Sequence, residues 1–135
     1  MVWNWGPLVL WACAIFWMSS QPVVPHPGRR IGIADDLTDY GGHILSFGLL
    51  AVLTWRVVRT RPGFLRQVPL AAMPWLAGLL AAVYALTDEV HQSMVPGRTA
   101  SIRDWLADVL GVLVACTLIA WYQARKMRNE LAPVR

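Results

Sequence analysis

The stretch YALTDEVHQSMVPGRTASIRDWLAD, residues 84–108, decides how this chain folds. It begins in the last turns of one apolar segment, turns at Pro96-Gly97, and enters another apolar segment at Trp105. Between these points lies a dense group of polar side chains: Asp88, Glu89, His91, Gln92, Arg98, Ser101, Arg103, Asp104 and Asp108. Because the flanking segments are mostly Leu, Ala, Val and Trp, this stretch is the principal candidate for a binding or active site.

The composition around this stretch is that of a membrane protein. The 135 residues are 56% hydrophobic and only 15% charged, and their mean hydropathy is +0.45. The apolar residues form about four long blocks, each near the roughly 20 helical residues that cross a bilayer core. We therefore predict an all-α polytopic membrane protein: a single domain, residues 1–135, folded as a four-transmembrane-helix bundle.

The predicted spans cover about residues 3–19, 41–58, 70–92 and 104–122. The first is interpreted as a retained helix rather than a signal peptide, because no Lys or Arg precedes it and no clear A-x-A cleavage site follows. Residues 21–40, rich in Pro and Gly, are predicted to form a polar loop. Cys13 and Cys116 lie mid-way along apolar segments, which indicates buried thiols and no disulfide or metal.

The charge distribution indicates the orientation. The net charge is +4. The basic residues flank apolar segments, where the charges that set membrane topology normally lie. A membrane is therefore favoured over nucleic acid as the partner. The loop after the second span and the basic tail, residues 123–135, hold most of the Lys and Arg. The positive-inside rule therefore predicts cytoplasmic termini and places Asp39, His43 and the polar stretch at the outer face.

Helical spacing gathers these polar residues onto shared faces. Asp39 and His43 are four residues apart, and so are Asp88 and Gln92. Glu89 is offset from Asp88 by about 100°, so it should point elsewhere or toward a neighbouring helix. Ionisable side chains within a span cost about 2.5–3.5 kcal/mol on insertion scales and therefore normally face a bundle interior. We expect one polar pocket with walls from three helices.

Several roles are compatible with this pattern. One role is purely structural, with Ser101 or Asp104 capping the fourth span and Asp39 capping the second. A metal ion is one alternative, with ligands among Asp39, His43, Asp88, His91 and Asp104, although no tight ligand motif is present. General acid–base chemistry by His43 or His91 is another. Anion binding by Arg98, Arg103 and the N-terminus of the fourth span is a third, and no cofactor is assigned.

Two motifs carry a family resemblance. The first is Asp39-x-x-x-His43 with Phe47; the second is Asp88-Glu89-x-x-Gln92 followed by Pro96-Gly97-Arg98, Ser101, Asp104 and Gly111. Together, over residues 39–111, they resemble the VanZ-like family of small bacterial membrane proteins. The family is named for a protein associated with low-level resistance to teicoplanin, a glycopeptide that binds cell-wall precursors outside the membrane. Two positions depart from its pattern: Tyr40, where Lys is frequent, and Asp108, where Asn is common.

The resemblance and the outer-face pocket lead to one functional hypothesis. The protein would lie in the bacterial cytoplasmic membrane and bind or modify an anionic lipid or lipid-linked cell-envelope precursor. Asp39 would orient His43, Asp88 and Asp104 would serve as acid–base or ligand-orienting groups, and Arg98 would pair with the anion. The further predicted ligand-binding residues are Glu89, His91, Gln92, Ser101 and Arg103. The alternative is a non-enzymatic scaffold or small transporter-like subunit whose polar cluster only locks the helices together.

Overall fold

The protein is a bundle of α-helices in a computed structural model that describes residues 2–22, 35–60 and 63–131. The α-helices described are α1 (Val2–Ser19), α2 (Asp35–Val58), α3 (Met73–Gln92) and α4 (Ile102–Leu131). Two short 3₁₀ turns, Gly63–Gln67 and Leu70–Ala72, lead into α3. No strand occurs within these residues, so the predicted all-α class is confirmed for the part of the chain described.

Three of the helical segments are long and apolar enough to cross a membrane. They are Thr38–Val58, Leu70–Gln92 and Ile102–Leu131. The α1 helix has 18 residues and Pro7 in its interior, and it lies outside this set. The membrane character predicted from composition therefore has direct structural support from three helices.

Two helix boundaries differ from the sequence-based expectation. The predicted loop over residues 21–40 is wrong for residues 35–40, since α2 already begins at Asp35; residues 23–34 of that loop lie outside the described residues. No proline follows Pro27 before Pro62, so no proline ring interrupts a helix that begins at Asp35. The α4 helix continues to Leu131, nine residues beyond the predicted end at Tyr122, because the basic tail consists largely of good helix formers.

The interior of the bundle is lined by small side chains and the outside by large apolar ones. On α3, Ala77, Ala81 and Ala85 are all buried and recur every four residues. The large side chains of the same helix, Leu79, Val83 and Leu86, are more than half exposed. Small interfacial residues allow helix backbones to approach closely in lipid, where the hydrophobic effect does not drive helices together.

The closest approach joins α2 to α4, which share the most extensive helix–helix packing in the bundle. A Cβ atom added to Gly111 would overlap the backbone carbonyl of Ile44, and one added to Gly48 would lie 3.2 Å from the carbonyl oxygen of Gly111. Only glycine permits this backbone contact at position 111. It occurs one residue after His43 on α2 and one turn after Asp108 on α4, so it fixes the spacing of the helices where these two side chains meet.

The first helix is attached to the others partly by polar side chains. Trp11 Nε1 donates a hydrogen bond to the carbonyl of Ser46 on α2 at 2.9 Å. The Tyr84 hydroxyl on α3 donates to the carbonyl of Ala12 at 2.8 Å. These bonds reinforce the apolar contact of Ile15 with the core formed by Phe47, Ala81 and their neighbours.

The helix spacing at Gly111 yields a testable prediction. Gly111→Ala should lower the thermal unfolding midpoint in detergent by at least about 5 °C, because overpacking costs on the order of 1–3 kcal/mol. The matched control is Gly42→Ala in α2, where an added Cβ meets nothing within 4 Å. Equal midpoints for the two variants would show that the α2–α4 contact does not require glycine.

Candidate functional site

The polar residues of the bundle separate into two clusters at one end, rather than forming the single pocket expected from helical spacing. Ser19, Asp88 and Gln92 form the first, between α1 and α3. His43, Glu89 and Asp108 form the second, between α2, α3 and α4. The consecutive residues Asp88 and Glu89 serve different clusters because adjacent helical positions point about 100° apart.

The first cluster is a buried hydrogen-bond network that joins α1 to α3. Ser19 Oγ donates to Asp88 Oδ2 at 2.7 Å, and Gln92 Nε2 donates to the same oxygen at 2.9 Å. All three side chains are buried. The predicted i, i+4 pairing of Asp88 with Gln92 is therefore present, and Ser19 of α1 is the third member of the network.

Glu89 reaches from α3 to the beginning of α4. Its Oε2 accepts a hydrogen bond from the backbone N–H of Ser101 at 2.8 Å, and Ser101 Oγ accepts one from the backbone N–H of Asp104 at 3.3 Å. Ser101 is thus the residue that caps α4. In a capping box the carboxylate three residues into the helix accepts the N-cap N–H; here Glu89 of another helix fills that role.

The second cluster centres on Asp108, whose side chain is 0% exposed. Its Oδ1 accepts a hydrogen bond from His43 Nδ1 at 2.8 Å, since an ionised carboxylate can only accept. His43, Glu89 and Asp108 each offer a ligand atom, and these three atoms lie within 4.8 Å of one another. Glu89 Oε1 and Asp108 Oδ2 are buried and have no hydrogen-bond partner among the described residues.

Arg98 and His91 contact α1 instead of the second cluster. Arg98 Nη1 donates to the carbonyl oxygens of Met18 and Ser19 at 3.3 and 3.2 Å, the last carbonyls of α1. His91 Nε2 lies 3.0 Å from Ser20 Oγ, and its ring stacks on Phe16 with centroids 4.4 Å apart. A cation at these carbonyls stabilises the helix C-terminus through its dipole.

The remaining predicted residues lie around the second cluster or on the surface. Asp39 is half-buried one turn before His43, and His43 Nδ1 is hydrogen-bonded to Asp108, so Asp108 orients the His43 ring; the predicted contribution of Asp39 stays a prediction. Asp104 is half-buried and interacts electrostatically with His43 and Glu89. Arg103 is exposed.

Sequence reasoning did not assign a role to three residues of the site. Asp108 lies four residues after Asp104, but its pairing with His43 depends on the relative height of α2 and α4, which spacing within one helix does not give. Ser19 and Ser20 end the first apolar segment at the same end of the bundle as Asp88. That shared end was the available signal, because the predicted topology brings the end of the first span beside the end of the third.

The arrangement offers two kinds of chemistry. The second cluster combines a histidine with two buried carboxylates, so it can move a proton or bind a cation. The first cluster, with Arg98 and His91, forms its hydrogen bonds within α3 and with the end of α1, which is typical of groups that hold helices together. The candidate reactive site is therefore the second cluster, with Asp39 and Asp104 beside it.

Comparison with known proteins adds a family assignment. No curated protein and no solved structure matches the chain. The VanZ/LLP1 family matches residues 5–123, which include all four helices except the first residues of α1 and the last turns of α4. Since this match covers most of the chain, and both motifs that line the two clusters fall within it, the protein belongs to the VanZ/LLP1 family.

Proposed function

We propose that this protein is a four-span integral membrane protein that binds or modifies an anionic lipid or lipid-linked cell-envelope precursor at the outer face of the bacterial cytoplasmic membrane. The observation that carries the proposal is the second cluster: a half-buried histidine and two buried carboxylates from three helices that are long and apolar enough to cross a membrane. Buried ionisable groups inside a membrane span are expensive and generally mark a functional site.

Charge at the two ends of the bundle supports the outer location. The end with the second cluster carries Asp39, Glu89, Asp104 and Asp108. The opposite end carries the basic side chains Arg56, Arg59, Arg66, Arg125, Lys126 and Arg128. The positive-inside rule assigns the basic end to the cytoplasm, so both termini lie inside and the α3–α4 turn faces outward.

Each part of the site has a distinct proposed role. His43, held by Asp108, is the proton-transferring group, and Glu89, Asp104 and Asp39 surround it with negative charge. Arg98 and Arg103 supply the positive charge nearest the turn at Gly97, where an anionic headgroup would lie. Asp88, Gln92 and His91 position α1, which closes one side of the site. A link to teicoplanin susceptibility follows if the ligand is a cell-wall precursor.

The orientation is tested by thiol labelling of intact cells. Thr99→Cys, in the exposed turn between α3 and α4, should react with a membrane-impermeant maleimide added from outside. Thr60→Cys, exposed beyond the other end of α2, should react only after the membrane is permeabilised. Unmodified protein serves as the control for maleimide labelling of the native residues Cys13 and Cys116. Labelling of position 60 but not 99 in intact cells would reverse the assignment.

Ligand binding is tested by native mass spectrometry of the purified protein with phosphatidylglycerol, undecaprenyl phosphate and phosphatidylethanolamine. We expect the two anionic lipids to bind more tightly, and Arg98→Gln to weaken them about tenfold, because a charge-assisted hydrogen bond contributes roughly 1.5–3 kcal/mol. The matched control is Arg128→Gln, an exposed cation at the opposite end, which should bind as the unmodified protein does.

Two outcomes would contradict the lipid hypothesis. One is equal binding of phosphatidylethanolamine and the anionic lipids. The other is that Asp88→Ala and Arg98→Ala, each expressed in cells, leave the protein level, lipid binding and teicoplanin susceptibility unchanged. A change in susceptibility without a change in protein level would support a cell-wall precursor as the ligand.

The contacts of α1 favour a second function, that of a scaffold or small transporter-like subunit. Asp88, His91, Gln92 and Arg98 all bond to the last residues of α1, so these polar groups contribute to helix packing whatever the second cluster does. A protein devoted to packing would need no ligand at all.

The packing role is measured by a double-mutant cycle. Ser19→Ala and Asp88→Asn should show a coupling of about 0.6 kcal/mol in unfolding free energy, the average for hydrogen bonds between membrane helices. Ser19→Ala combined with Thr117→Ala, on the exposed face of α4, should be additive. Additivity in the first pair as well would mean that the Ser19–Asp88 bond does not secure α1.

A further inference from the structure

We propose that His43, Glu89 and Asp108 bind a divalent transition-metal ion, with Zn²⁺ as the ion best suited to them. The three residues come from α2, α3 and α4, so the site ties together the helices that can span the membrane. Lipid binding and metal binding are measured separately, so failure of one does not imply failure of the other.

The spacing of the three ligands fits one ion. Their ligand atoms lie within 4.8 Å of one another. Tetrahedral bonds of about 2.0–2.2 Å from zinc to imidazole and carboxylate place two ligand atoms roughly 3.3–3.6 Å apart. The side chains need to draw together by at most about 1.5 Å, which rotations of the Glu89 and His43 side chains can supply.

The two unpartnered oxygens are the independent sign of a ligand. Glu89 is 6% exposed and Asp108 is 0% exposed, yet Glu89 Oε1 and Asp108 Oδ2 lack hydrogen-bond partners among the described residues. An unsatisfied buried polar atom costs about 1–3 kcal/mol, and more when it is charged. Glu89 Oε2 stays bonded to the Ser101 N–H, which leaves Oε1 to coordinate an ion. His43 would coordinate through Nδ1 in its Nε2–H tautomer, in place of its hydrogen bond to Asp108, whose Oδ2 has no partner among the described residues.

The charge of the ligand set indicates a dication. Two carboxylates and a neutral imidazole carry two negative charges, which a divalent ion balances. Burying a neutral assembly avoids the penalty of isolated charges in a medium of low dielectric constant. A monovalent cation would leave net charge in the interior of the bundle.

The mixture of nitrogen and oxygen ligands narrows the choice of ion. Imidazole with carboxylate suits zinc and related transition metals, whereas magnesium and calcium prefer oxygen ligands throughout. Three protein ligands with a fourth position open are typical of catalytic zinc sites, where the ion activates water or polarises a bound oxygen. His43, whose side chain is 19% exposed, lies on the accessible side of the site.

The test uses the full chain, purified in detergent without a histidine tag, stripped with a chelator and re-equilibrated with Zn²⁺. Elemental analysis should find about one zinc per chain, and X-ray absorption should show nitrogen and oxygen ligands at about 2.0–2.1 Å without sulfur. Glu89→Gln and Asp108→Asn, which preserve side-chain shape, should each weaken zinc binding at least tenfold. Asp88→Asn, which alters an equally buried carboxylate outside the cluster, should retain it.

Several results would overturn the site. The site would be overturned if the unmodified protein retained no zinc at micromolar concentrations. It would also be overturned by a sulfur ligand at about 2.3 Å, which would assign the ion to Cys13 or Cys116. The site would also be excluded if Glu89→Gln and Asp108→Asn bound zinc as tightly as the unmodified protein. If both variants fail to fold, the stoichiometry and X-ray absorption of the unmodified protein decide the question alone.

Discussion

The backbone contact between Ile44 and Gly111 is the constraint on which the site depends. Because position 111 lacks a side chain, α4 lies against the carbonyl of Ile44 and the two helices run in close contact. His43 precedes this contact on α2, and Asp108 precedes it by one turn on α4, so their side chains meet at 2.8 Å. A larger residue at 111 would separate the helices and lengthen that hydrogen bond. The glycine and the polar pair are therefore parts of one arrangement.

The α3 helix divides the polar residues between two tasks. Asp88 faces α1 and completes a network with Ser19 and Gln92, whereas Glu89 faces α4 and caps it through Ser101. A single turn of helix thus secures the neighbouring helix on one side and lines the candidate site on the other. The motif that contains Asp88, Glu89 and Gln92 is therefore explained only in part by a purely functional interpretation. A purely structural interpretation also explains only part of it.

The sequence predicted the helical class, the membrane character and the polar end of the bundle, because these follow from periodicity, composition and the positions of charged residues. It also predicted that Glu89 departs from the face of Asp88. It did not predict that Asp108 holds His43, because the carboxylate predicted for that role was Asp39, four residues away on the same helix. Pairing with Asp108 depends on the height at which α2 and α4 cross, and that height is set by the contact at Gly111, a tertiary feature. The sequence did not predict that α2 begins at Asp35, because the residues before it are rich in Pro and Gly.

The contrast between the two ways in which this bundle is held together argues for chemistry in the second cluster. Where α1 is attached to its neighbours, Trp11 and Tyr84 donate single neutral hydrogen bonds to backbone carbonyls, and the buried Asp88 carboxylate accepts two hydrogen bonds at one oxygen. The second cluster instead buries two carboxylates that each keep one oxygen without a hydrogen-bond partner among the described residues. Replacing buried charged groups with well-packed apolar residues is often neutral or stabilising. Packing α2, α3 and α4 together therefore does not require His43, Glu89 and Asp108. The proposed roles, transfer of a proton or coordination of a cation, require such groups, because neutral or apolar side chains cannot fill them.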